Sequence, residues 1–124
     1  MPKYQRIQSK DVKPTEFLVP IDSLERIAEH YDGNSESILA PVGYLHEGKF
    51  IPENGNKRIV FLHSKGHDHF TGLVQDYDKE DFDACMQLVK RASNYGVRTI
   101  DDLSQKVVPR DEYNSLMREC DKNR

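Results

Sequence analysis

Four consecutive residues, Gly55-Asn56-Lys57-Arg58, combine groups that suit an anion. Glycine lets the backbone approach a ligand closely, asparagine offers an amide, and two adjacent cations supply charge, arginine being the better geometric match to phosphate oxygens. If the residues after Asn56 are helical, the unpaired N–H groups of the helix terminus join the cradle. An ordinary polar turn with surface charges accounts for the same four residues on local chemistry alone.

A second cluster is His63, His67 and His69 with Asp68, an H-x3-H-x-H arrangement whose imidazoles are candidate ligands for zinc or another transition metal. Its spacing matches no strong metal signature, and a surface turn ending in Gly66 explains it equally well. Five carboxylates, Asp76, Asp78, Glu80, Asp81 and Asp83, gather where a helix is expected to start, and there they complement the helix dipole. Cys85 and Cys120 both fall on apolar faces of expected helices without a basic partner, which suits buried free thiols better than a nucleophile or a disulfide framework. The chain has no G-x-x-x-x-G-K-S/T phosphate loop, no G-x-S-x-G elbow and no C-x-x-C pair.

The elements that must position these groups follow from periodicity. Residues 1–16 alternate polar and cationic groups and contain Pro14, so a basic, loose lead-in is expected. Phe17 to Ile21 reads as an edge or first strand. From Asp22 the spacing Leu24, Ile27, Ala28, Tyr31 predicts a helix, with Asp22 and Glu25 spaced as a capping box. Ser37 to Leu45 and Lys49-Phe50-Ile51 predict a hairpin about Glu47-Gly48. Arg58 to Ser64 is open between strand and helix, because Ile59-Val60-Phe61-Leu62 is too short a run for its period to decide, with β-branched residues leaning it to strand. His69 to Gln75 predicts a strand, and three amphipathic helices fill the C-terminal third: one through Phe82, Cys85, Met86 and Val89, one opened by the Thr99/Asp102 capping-box pair, and one after Pro109.

At 124 residues the chain has the size of one domain. It is 36% hydrophobic and 31% charged with a formal net charge of −3, so long-range attraction to a duplex is not expected, whereas a local cationic turn still suits a nucleotide. The last helix, with Asp111, Glu112, Glu119 and Asp121 against Arg110, Arg118 and Lys122, is a poor recognition helix for DNA. No apolar run approaches a membrane span and no signal peptide is expected, so the reading is a cytoplasmic protein.

Taken in order, Pro20-Ile21-Asp22-Ser23-Leu24, the hairpin, the Gly55-Asn56-Lys57-Arg58 turn, the apolar stretch to Gly66 and the strand into Asp76-Tyr77-Asp78 resemble the ParB/sulfiredoxin-like superfamily over about residues 17–85. The resemblance implies an α+β fold, with a core over residues 17–78 and a helical C-terminal extension over 79–124 of the same domain. It also implies that residues 58–64 are a helix opening at the turn. Members include nucleotide-binding segregation proteins, sulfiredoxins, free-serine kinases and proteins described as nucleases, and share phosphate binding at this turn. The implied function is nucleotide binding, with ATP or CTP and magnesium, and phosphoryl-transfer or hydrolase/nuclease-type activity. Gly55, Asn56, Lys57, Arg58 and Lys65 would hold phosphates, Asp22 or Glu53 would serve as acid/base or magnesium ligand, and His63 would support them. Asn56 stands where sulfiredoxins carry their cysteine, which argues against sulfinic-acid reduction. The alternative is a non-catalytic binding protein of the same fold that engages a protein or nucleic-acid partner.

Overall fold

Lys3–Gln8 form strand β1, antiparallel to the strand His69–Val74, with Ile7 opposite Phe70. The loose lead-in expected over residues 1–16 is thereby corrected. Every residue of β1 except Ile7 is exposed, so an edge strand needs no apolar alternation, and its order comes from the backbone ladder. One turn of 3-10 helix, Ser9–Asp11, leads to Val12, which bridges to Phe50, and the Lys13 N–H donates to the Phe50 carbonyl at 2.9 Å. The computed structural model describes residues 1–122.

The strand expected near Phe17 shortens to Val19–Pro20 (β2), and helix α1 follows at Ile21–Ala28. Its expected capping box is absent: Pro20 occupies the N-cap without a side-chain bond, and Asp22 turns toward Arg110 instead. Val42–His46 (β3) and Lys49–Asn54 (β4) form the expected hairpin. Glu47 and Gly48 have φ of 51° and 78°, the pair of positive values that suits a two-residue turn to twisted strands. Helix α2 (Asn56–Ser64) overturns the local lean to strand and agrees with the helix that the resemblance implies. Ile59, Val60, Phe61 and Leu62 are all buried, because α2 is enclosed on several sides and so shows no polar face to mark its period.

His69–Val74 is β5, and after it come α3 (Lys79–Asn94), α4 (Ile100–Ser104), β6 (Val107–Val108) and α5 (Arg110–Lys122). Asp78 accepts from the Asp81 N–H at the start of α3, and Thr99 and Asp102 form the expected capping box of α4. The main sheet has the order β1-β5-β3-β4 and is mixed, since β3 and β5 run parallel, while β2 and β6 make a separate parallel pair. The fold is α+β. Successive residues of β4 point to opposite faces: Phe50 joins the core that contains α2, and Ile51 joins Tyr44 and Cys85 beneath α3. Helices therefore cover both faces of the sheet. Cys85 and Cys120 are free and buried, and no helix among the described residues is long and apolar enough to cross a membrane.

Candidate functional site

The turn into α2 is built around Gly55, whose φ of 109° is the left-handed conformation that side chains disfavour. A Cβ there would also sit 2.7 Å from that of Pro41, so conformation and space both call for glycine. The first helical carbonyl bond is Ile59 N–H to Gly55 O at 3.0 Å, which leaves the N–H groups of Asn56, Lys57 and Arg58 without intrahelical acceptors. No side chain caps them.

Asn56 supplies only its backbone to this turn. Its side chain is buried, with Oδ1 accepting from the Thr15 N–H at 2.9 Å and Nδ2 donating to Thr15 Oγ1 at 2.8 Å. Thr15 Oγ1 in turn donates to the Pro52 carbonyl at 2.7 Å. The amide thus bolts the first residue of α2 to the N-terminal segment and to β4.

Arg58 is half-buried, and burial pushes its guanidinium below its usual pKa. Its one hydrogen-bond partner among the described residues is Asn54 Oδ1 at 3.3 Å, and no carboxylate pairs with it. It lines a groove of about 350 Å³ with Ile27, His30, Ser37, Ile38 and Leu39. A cation kept partly out of water without a counter-charge is disposed to take an anion.

Glu16 belongs to this neighbourhood, and the sequence reading missed it. Burial raises its pKa against the lowering charges of Lys57 and Arg91, and its Oε2 is buried without a hydrogen-bond partner. Arg91 Nε is likewise buried and unpartnered, and its guanidinium lies 5.1 Å from the Phe17 ring centroid. The signal in sequence was slight: one carboxylate between Pro14-Thr15 and the apolar Phe17-Leu18-Val19.

The remaining expected residues are held elsewhere. Asp22 takes a two-pronged contact from Arg110, with Nη2 to Oδ1 at 2.9 Å and Nε to Oδ2 at 3.1 Å, and this lowers its pKa. Glu53 Oε2 accepts from Gln75 Nε2 at 2.7 Å. Lys65 is not brought to the turn: it caps the opposite end of α2, its ammonium 5.5 Å from the Phe61 ring, and a nine-residue helix separates the two ends by about 13 Å. His63 lies at that far end too.

The three histidines do not converge. His63 Nε2 meets Asp101 Oδ1 at 2.6 Å, His67 Nε2 meets the Tyr31 hydroxyl at 2.7 Å, and His69 Nδ1 meets Asp68 Oδ1 at 2.8 Å. Among the described residues no group of three or more histidine, cysteine or acidic side chains could hold a metal. Burial raises the Cys85 thiol, which makes it a poor nucleophile.

No protein-family model and no curated protein matches the sequence. The fold is similar to the crystal structure of protein Atu1540 from Agrobacterium tumefaciens, with a TM-score of 0.52 and 16% sequence identity. The match covers 83% of this chain and 62% of that one, so the chain spans less than two thirds of its neighbour's length. At this identity the likeness concerns the fold alone.

Proposed function

We propose that the chain is a ParB/sulfiredoxin-like domain that binds the phosphates of a nucleotide at the start of α2. The backbone N–H groups of Asn56 to Arg58 and the side chains of Lys57 and Arg58 would take the phosphate oxygens. The observation that carries this reading is the half-buried Arg58 guanidinium, which has no carboxylate partner among the described residues and stands at a helix N-terminus with uncapped amides. Phosphoryl transfer or hydrolysis is the chemistry such a cradle assists, by stabilising charge on a phosphoryl group.

Neither expected carboxylate fits a dedicated magnesium site. Asp22 is held by Arg110 and lies 3.5 Å from Arg26, and Glu53 is held by the Gln75 amide, so magnesium would arrive on the phosphates of ATP or CTP. The same observation favours a second reading, a binding protein without catalysis that engages a protein or nucleic-acid partner, because neither candidate acid/base stands free. The two buried free thiols support a cytoplasmic, reducing setting.

Isothermal titration with ATP, CTP and ADP, with and without magnesium, tests the proposal. Binding is expected for at least one nucleotide, weakened at least tenfold by Arg58→Ala. No heat with any of them at millimolar concentration sinks it. Where a nucleotide binds but is recovered unchanged after prolonged incubation, the non-catalytic reading stands.

A further inference from the structure

At the other end of α2, about 13 Å from the Gly55 turn, lies a cleft of about 290 Å³ that the anion site does not use. Its lining comes from four places in the chain: Ser9 and Lys10 after β1, His63 in the last turn of α2, Asp68 before β5, and Ile100 and Asp101 at the start of α4. We propose that this cleft binds a small amino-acid-type zwitterion, its carboxylate against Lys10 and the Ser9 hydroxyl and its ammonium against Asp68 and Asp101.

Ser9 is the first observation. It is 5% exposed, its N–H donates to the Asp68 carbonyl at 2.9 Å, and its hydroxyl has no hydrogen-bond partner among the described residues. Ser9 lines the cleft, and a hydroxyl without a protein partner there is open to a ligand's hydrogen bond.

The charges are the second. Asp101 engages His63 through Oδ1, and Asp68 engages His69 through Oδ1 with the Arg6 charge nearby, so each carboxylate has one oxygen bonded to an imidazole and brings negative charge to the cleft. His63, oriented through Nε2, has Nδ1 left for a ligand. Lys10 has no acidic partner among the described residues. A simple anion would face two carboxylates here, and a simple cation would face the Lys10 ammonium. A molecule bearing both charges meets complementary groups on each side. The volume is at the small end for ligand pockets, which limits the guest to a compact one.

Amide and imidazole NMR of the ¹⁵N-labelled chain tests this, with glycine, L-alanine, β-alanine and 4-aminobutyrate as probes and acetate and methylammonium as single-charge controls. At least one zwitterion is expected to shift Ser9, Ile100, Asp101 and the His63 ring saturably at millimolar concentration, with the controls silent. Ser9→Ala and Lys10→Ala should each weaken that binding roughly tenfold. Lys10 is exposed, so its variant folds and decides the matter even if Ser9→Ala does not. The proposal falls if no zwitterion gives a saturable shift, if either control shifts the same signals as strongly, or if Lys10→Ala leaves the titration unchanged. Nucleotide binding at the Gly55 turn is unaffected by each of these outcomes.

Discussion

Asn56 illustrates how a residue placed in a ligand site by its type can serve the backbone instead. Its amide satisfies the buried Thr15 N–H, and its removal strands that donor away from water. Asn56→Ala is therefore expected to destabilise the protein by about 2–3 kcal/mol in urea denaturation; an unchanged midpoint would mean that the amide does not bolt α2 to the N-terminal segment. Glu16 bears on stability in the opposite sense. Burial raises its folded-state pKa, so its relative contribution to stability is fully present below the ordinary carboxylate value and is lost as pH rises through the raised one. Above the ordinary carboxylate range the fold bears the cost of burying this group. Glu16→Gln should melt higher than the natural protein at pH 7, with the gap closing on acidification; a lower melting temperature at pH 7 would show that Lys57 and Arg91 outweigh the burial.

Elements were legible where a local rule was sufficient. The Glu47-Gly48 hairpin, the Thr99/Asp102 capping box, the acidic start of α3 and the strand at β5 each rest on a few neighbouring residues, and each is present. Two elements depended on partners distant in sequence. Strand β1 carries no apolar alternation because it is an edge, and only its pairing with β5 orders it. Helix α2 has no polar face because it is enclosed, and four buried apolar residues in a row carry no period. The candidate site divides in the same way. The Gly55 to Arg58 turn could be read from residue types, whereas the placement of Lys65 at the wrong end of α2 and the burial of Glu16 follow from packing alone.

At the scale of the whole molecule, few polar contacts among the described residues tie the C-terminal helices back to the N-terminal half. Arg110 grips Asp22 and also reaches Ser23 Oγ at 3.2 Å, joining the first turn of α5 to the first turn of α1, beside the short β2–β6 pair. Arg110→Ala should speed hydrogen exchange in α5 and β6 while leaving α2 protected; uniform loss of protection would mean that the latch holds the entire fold. The sheet itself is asymmetric. Residues 12–15 run along β4 and occupy its outer side, with Val12 bridging Phe50 and Thr15 bonding Pro52, whereas β1 has nothing beyond it among the described residues. An open row of backbone donors and acceptors is a template for the edge of another molecule, and association through it would be the usual route to aggregation. Lys3 and Arg6 lie exposed on that row, so two copies meeting edge to edge would oppose like charges. Replacing both with threonine should raise light scattering on storage at neutral pH with the melting temperature little changed; equal scattering would mean that these cations do not guard the edge.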